Sequence, residues 1–345
     1  MSKHYRAVLQ RAKFIVLWAV VFVLVVFLGT FVAFLRTPLV AKTQASTSIV
    51  FPMGASLIDL TQTLKQQHLL FYPRSYIVVL AYLQQASKHL HAGEYLLTPG
   101  IFPGDLLTKM VNEDVVWRNL LFVEGITWAQ MQAQLASNSY LLKSSLEQTT
   151  LAQKLHIANN QLEGWFFPDT YRYTAGLTAF AILHQAHALM LTHLTKAWAS
   201  RSAHLPYRNA YDLLIVASLV EKEAKIPSDY PRIAGVIVKR LQLGMPLQID
   251  ASVIYGLGAA YDGKLKSSQL KMASPYNTYL CKGLPPTPIA MPGEASLQAA
   301  AQPVMSDALY YVASGTGGHV FSATFRQQVQ AIARLRLFQR ARNDF

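Results

Sequence analysis

The segment AYDLLIVASLVEKEAK, Ala210 to Lys225, is strongly apolar until it ends in two carboxylates, Glu221 and Glu223, just before the break at Pro227. Two residues along a helix correspond to a rotation of about 200°. The two glutamates therefore point to opposite sides and cannot form a paired-carboxylate site with each other. Glu223 extends the stripe Leu213, Val216, Val220, and Glu221 extends the stripe Leu214, Ala217. A carboxyl that continues an apolar stripe at a helix end is partly desolvated, holds its proton more tightly and is suited to donating it near neutral pH. Both stripes are apolar, so periodicity does not choose between them. On residue types alone, a solvated or ion-paired helix end is the commoner fate of such a glutamate.

Other segments carry groups that could complete such a site. EGWFFPDTYRY, Glu163 to Tyr173, packs five aromatics and two acids into a short stretch. It is either a core-forming loop or the wall of a carbohydrate cleft, where sugars stack on rings and the carboxylates Glu163 and Asp169 take hydroxyls. Core is the expectation for most of the rings. PLQIDASVIYGLG reads as an extended segment presenting Gln248 and Asp250. SPYNTYLCKGLPPTPIAMPG, Ser274 to Gly293, is too proline-rich for regular structure and reads as an ordered loop over a cleft, with Tyr276 and Asn277 near its start. The ten histidines show no HExxH spacing, and the single cysteine, Cys281, excludes an internal disulfide and a cysteine-cluster metal site. Cys281 is expected to be a small packed hydrophobe, and neither metal nor cofactor is expected.

The elements that must hold these groups follow a membrane span. Phe14 to Leu35 has Thr30 as its only polar side chain, and as a helix it reaches about 33 Å, enough for a hydrocarbon core. Lys3, Arg6, Arg11 and Lys13 precede it with no acid, whereas Arg36 and Lys42 are the basic residues soon after it. That asymmetry places residues 1–13 in the cytoplasm and the rest outside. The run is longer than a signal-peptide core and lacks a convincing small-x-small cleavage site, so a retained single-pass anchor is expected, with a polar linker over residues 36–47. Between residues 48 and 135 an apolar stretch, a glycine and an amphipathic helix occur three times, turning at Gly54, Gly100 and Gly125. Ser56 with Asp59 and Thr127 with Gln130 have capping-box spacing, and Pro103 suits a first helical turn. Helices are then expected over Thr178 to Ser200, Tyr230 to Leu243 and Glu294 to Ala301. A hairpin turning through Ser314 to Gly318 and a final helix follow. The fold class is α+β: an N-terminal transmembrane helix, small α/β modules, then a mixed α+β domain over residues 155–345.

Composition sets the outer bounds. Hydrophobic residues make up 52% and charged residues 14% of the chain, which excludes a disordered protein. The formal charge of +13 favours an anionic partner such as phospholipid head groups or an acidic cell-wall polymer. Basic residues are scattered without a nucleic-acid motif, so no nucleic-acid partner is expected.

In order, the strings LEGWFFPDTY, ASLVEKE, RLQLGMPLQIDASVIYG, SPYNTY, GLPPTPIAMPG and GGHVFS, behind an anchor and strand–helix modules, resemble the endolytic murein transglycosylase (MltG, YceG-like) family. The resemblance spans nearly the whole chain. It implies LysM-like, glycan-binding modules over residues 48–135 and a catalytic glutamate at the second acid of EKE, which is Glu223. It further implies an endolytic lytic transglycosylase that cleaves the MurNAc–GlcNAc β-1,4 bond of nascent strands to leave 1,6-anhydroMurNAc ends, so terminating elongation. The catalytic domain would then stand outside the inner (cytoplasmic) membrane, in the periplasm, near peptidoglycan synthases. Gln248, Asp250, Tyr276 and Asn277 are the candidate substrate contacts, with Glu163 and Asp169 behind them. For Gln248, Tyr276 and Asn277, stabilising their own loops is an equal alternative. Ile249, Ala251, Met291 and Gln328 depart from the residues usual in the family and leave the acid in place. Two other functions fit the same residues: a hydrolytic muramidase using Asp250 as second carboxylate, and a non-catalytic peptidoglycan-binding assembly protein.

Overall fold

The computed structural model describes residues 3–143 and 147–343. By its contacts the chain divides into two units. The first comprises residues to Arg118 with Tyr140–Leu142 and Arg172–Leu177; the second comprises Asn119–Ser139, Lys143–Tyr171 and Thr178 onward.

The first unit begins with α1, Lys3–Leu35, whose stretch Arg11–Leu35 is long and apolar enough to cross a membrane. Strand β1 (Thr47–Phe51) leads through Gly54 to α2 (Leu57–Gln66), followed by α3 (Arg74–Leu83). Strand β2 (Gly93–Leu97) leads through Gly100 to α4 (Pro103–Val111). Both turn glycines hold φ above +80°, a region that costs a side chain dearly and a glycine nothing. Ser56 and Asp59 form the expected reciprocal cap: the Ser56 amide donates to the Asp59 carboxylate at 2.7 Å and the Asp59 amide to Ser56 Oγ at 3.3 Å. Pro103 starts α4, where its missing N–H is no loss. β1 and β2 pair antiparallel from Thr47 opposite Leu97 to Phe51 opposite Gly93. The pleat drives Ile49, Tyr95 and Leu97 inward against Leu64, Ile77, Leu106 and Met110.

The third strand–glycine–helix copy, expected beside the other two, lies largely with the second unit. It is built from β3 (Trp117–Leu121), Gly125 and α5 (Trp128–Ser137), with Thr127 and Gln130 closing the cap. After α6 (Gln148–Lys154) comes β4 (Thr170–Thr174), which pairs with β3. Then follow α7 (Ala179–Ala199), α8 (Ala210–Glu223), α9 (Tyr230–Gln242) and α10 (Asp250–Leu257). The chain ends with α11 (Glu294–Ala301), the hairpin β5 (Tyr310–Ala313) and β6 (His319–Ser322), and α12 (Phe325–Asn343).

The second unit is organised around α8. Every residue from Asp212 to Val220 is buried, because α7, α9 and α11 pack around it. A helix apolar all round needs such a jacket, and truncating Leu213 or Leu219 to alanine there costs about 2–5 kcal/mol. Its start is fixed by Asn209, whose side chain accepts from the Asp212 amide at 3.1 Å. Phe166, Phe167 and Tyr171 are buried in this unit and Tyr173 in the first, so these rings are core.

Two expectations need correction. The segment presenting Gln248 and Asp250 is extended only as far as Ile249, and Asp250 opens α10. The β-branched and aromatic run Val253, Ile254, Tyr255 suggests a strand locally. The Ile249 carbonyl instead accepts from the Ser252 amide at 3.2 Å and hydroxyl at 2.7 Å, with Ser252 and Val253 buried, and the first turn closes. Cys281, expected inside, is exposed on the proline-rich loop.

Candidate active site

The structure separates the two glutamates of EKE by giving each a different partner. Glu221 Oε2 accepts from the Gly293 amide at 2.9 Å and the Ser296 hydroxyl at 2.7 Å. It therefore caps the start of α11, where a carboxylate satisfies free N–H groups and meets the positive end of the helix dipole. Glu223, on the other side of α8, faces a cleft of about 400 Å³ lined with Arg240, Gln248, Asp250, Tyr279 and Tyr311.

The surroundings of Glu223 set its chemistry. Burial raises its pKa above the ordinary glutamate value, and the nearby Asp250 charge adds to the rise. The Tyr311 hydroxyl donates to Glu223 Oε2 at 3.0 Å and, with His319 and Lys225, pulls in the opposite direction without reversing it. The outcome is a carboxyl that stays protonated at higher pH than an exposed one and still has a donor ready for its anion. Tyr311 is held in place by β5. His319, opposite Ala313 on β6, presents its ring edge-on to Tyr311 at 5.5 Å and binds Asp229 through Nδ1 at 2.8 Å.

Around the acid, Arg240 brings a buried cation. Its guanidinium donates to the carbonyls of Leu309 at 2.7 Å, Leu247 at 2.7 Å and Pro246 at 3.2 Å, and to Gln248 Oε1 at 3.3 Å. These bonds tie α9 to the segment before α10 and to the start of the hairpin. Gln248 has a left-handed backbone, φ +55°, a strained state that persists where the surroundings over-determine it. Here its amide is fixed to the Thr278 carbonyl at 3.0 Å and its side chain to Arg240. Asp250 Oδ1 accepts from the Tyr279 hydroxyl at 2.6 Å. Gln328 of α12 donates to the Tyr311 carbonyl at 3.0 Å, while its buried Oε1 has no partner among the described residues. A buried acceptor left unpaired is costly, and here it borders the cleft.

Of the residues singled out from sequence, Glu223, Gln248 and Asp250 come together. The other four do not line this cleft. Asn277 is buried, donates to the carbonyls of Leu270 and Met272 and accepts from the Tyr279 amide, so it is spent on its own loop. The Tyr276 hydroxyl meets Thr287 at 2.9 Å. Glu163 is buried where the Trp128 amide (3.0 Å) and Tyr255 hydroxyl (3.0 Å) donate to it, and burial pushes its pKa up to about 7. Asp169 is exposed and accepts from the Thr170 amide at 2.6 Å. Sequence reasoning did not single out Arg240, Tyr279 or Tyr311; nothing local distinguishes an arginine in RLQLG or a tyrosine in LYYVA from surface residues.

Two other clefts in this unit are as large, about 420 Å³ beside Trp165 and His187 and about 560 Å³ beside Tyr211 and Leu284. The first has no carboxylate in its lining, and in the second Asp212 is already paired with Arg208 at 3.0 Å. Chemistry rather than size singles out the Glu223 cleft. Among the described residues no three His, Cys, Asp or Glu side chains come together as a metal-binding group.

Fold and site thus define an α+β protein with a desolvated glutamate at the end of a buried helix, opening on a tyrosine-bordered cleft. Residues 49–334 match the YceG-like family, and the chain belongs to that family. It is 27% identical over 321 residues to an endolytic murein transglycosylase of Bacillus subtilis, covering 86% of this chain and 87% of that one. A protein of the same description from Streptococcus pneumoniae D39 is 26% identical over 83% of this chain, which spans only 57% of that relative. A crystal structure of a YceG-like protein from Listeria monocytogenes superposes with a TM-score of 0.54 at 26% identity, covering 84% of this chain and 99% of that one.

Proposed function

We propose that this chain is a membrane-anchored lytic transglycosylase that cuts peptidoglycan glycan strands, with Glu223 serving in turn as acid and base. The observation that carries this reading is the Glu223 environment: a carboxyl whose proton is held by burial, with a tyrosine hydroxyl on its oxygen, in an open cleft. The names borne by the relatives supply the substrate class.

In the proposed reaction Glu223 protonates the glycosidic oxygen between MurNAc and GlcNAc. The bond to the MurNAc anomeric carbon breaks, and the N-acetyl group relieves the resulting oxocarbenium-like charge. Tyr311 steadies the Glu223 carboxylate, which then removes the proton of the MurNAc C6 hydroxyl as that oxygen closes on the anomeric carbon. Proton and electron balance close without water, leaving a 1,6-anhydro end and returning Glu223 to its acid form. Gln248 and Gln328 line the cleft and are the groups placed to hold acetamido and hydroxyl groups. The modules at residues 48–135 would hold more of the strand in LysM-like fashion. The anchor would keep the N-terminus cytoplasmic and the cleft in the periplasm, beside synthases releasing new strands, where cutting would end their elongation.

One observation favours a second reading. Asp250 lies in the same cleft, bonded to Tyr279, and a second carboxylate is what a hydrolytic muramidase uses. Digestion of purified uncrosslinked strands with the full chain in detergent, followed by mass analysis of the ends, separates the two. Anhydro ends are the expected result. Products one water heavier would give the reaction to hydrolysis, and uncut strands would reject both.

A further inference from the structure

The anchor helix α1 does not stand clear of the first unit. Tyr76 of α3 packs edge-on against Phe27 (5.3 Å), Phe31 (5.4 Å) and Phe34 (5.7 Å), and its hydroxyl lies 2.6 Å from Thr30 Oγ1. Phe27 is eight residues before the end of α1, about 12 Å along the axis. If the bilayer began only below Phe27, the apolar stretch left to it, Phe14 to Val26, would span about 20 Å, well short of the roughly 30 Å of a hydrocarbon core. The membrane therefore has to rise to the height of α3.

The exposed surface of α3 matches that depth. Ile77, Leu80 and Ala81 face the core, and the exposed residues of the helix run from polar Arg74 and Ser75 at its start to apolar Tyr82 and Leu83 at its end, with half-buried Val78 between them. Tyr82 and Leu83 at the end of α3 and Phe71 in the turn before it are 67%, 68% and 79% exposed, large apolar side chains that gain by entering lipid. Charge agrees. From Arg36 to Gly93 the basic residues Arg36, Lys42, Lys65, Arg74 and Lys88, all exposed, stand against a single acid, Asp59. Basic residues around an apolar, aromatic face are the composition of an element lying in the head-group region of an anionic leaflet.

We propose that α3, with Phe71 before it and Leu83 at its end, is a second membrane contact. It lies in the interface of the leaflet where α1 emerges and fixes the first unit against anionic phospholipid. This rests on α1 spanning the bilayer. The consequence is a unit clamped to the membrane at two points, unable to swing freely about the linker.

The test uses the full chain with Cys281→Ser, which removes the only cysteine, reconstituted in phosphatidylglycerol vesicles. Nitroxide labels are placed one at a time through Phe71→Cys, Tyr82→Cys and Leu83→Cys. Phe22→Cys serves as the reference within the span, and Asp307→Cys, whose native side chain is 95% exposed, as the reference in water. Collisions with dissolved oxygen, which concentrates in lipid, and with a water-soluble nickel complex are read by power saturation. The expected result is several-fold fewer nickel collisions at the three positions than at Asp307, with oxygen collisions raised toward those at Phe22. Water-like values at all three would overturn the proposal, and exclusion of both reagents would replace the lipid with a protein contact such as a second copy. A water-like label at Phe22 would instead show that the span is not inserted, and the proposal would fall with that reading. If Phe22 is lipid-like and α3 is not, only the second contact is lost.

Discussion

Glu163 and Glu223 are both glutamates of the second unit whose proton affinity is raised chiefly by burial, and they stand in opposite settings. Glu163 is sealed, with the Trp128 amide and Tyr255 hydroxyl donating to it. Glu223 accepts from the Tyr311 hydroxyl and borders an open cleft. The lesson is that a raised pKa does not by itself mark a catalytic group. What distinguishes Glu223 is access: it borders an open cleft, whereas Glu163 is buried beneath its donors.

The sharpest way to break this comparison is to replace each glutamate by glutamine. Glu223→Gln keeps the shape and cannot move a proton, so strand cleavage should fall at least about 10³-fold, with glycan binding retained in a pull-down assay. Glu163→Gln should leave cleavage within a few-fold of wild type and change the pH dependence of stability instead. A group with a raised folded pKa contributes stability that is fully present below its unfolded value, here 4.5, and lost as pH rises through about 7. The variant does not titrate, so that loss should vanish. Denaturation followed from pH 4 to 8 should show the difference moving in its favour by at most about 3 kcal/mol. If Glu163→Gln abolished cleavage instead, the sealed and open roles would have been assigned the wrong way round.

Smaller effects refine the picture. Glu221→Ala removes the acceptor at the start of α11 and should cost about 1–2 kcal/mol of stability, read by urea denaturation. Tyr311→Phe removes the bond that lowers the Glu223 pKa, so the alkaline limb of the pH–rate profile should move upward. Turnover at a pH where Glu223 is fully protonated should drop only several-fold. An unmoved alkaline limb would show that Tyr311 does not act on Glu223 at all.

Much was legible in the sequence because it is local. The apolar length of α1, the glycine turns at Gly54, Gly100 and Gly125, the caps at Ser56 and Thr127, and the hairpin before α12 each depend on residues a few positions apart. The motif strings carried the family. What tertiary structure alone decided was set by partners far along the chain. Glu221 became a cap because Gly293 and Ser296, more than seventy residues later, meet it. Asp250 opens a helix rather than lying in a strand because Ile249 and Ser252 are pinned by Thr278. Asn277 was claimed by backbone groups and Glu163 by the Trp128 amide and the Tyr255 hydroxyl, while Arg240, Tyr311 and Gln328 joined the cleft from separate helices and a hairpin. Periodicity reports which face a side chain occupies on its own element. Only packing, which brings elements together against the entropy of the chain, determines what stands opposite that face.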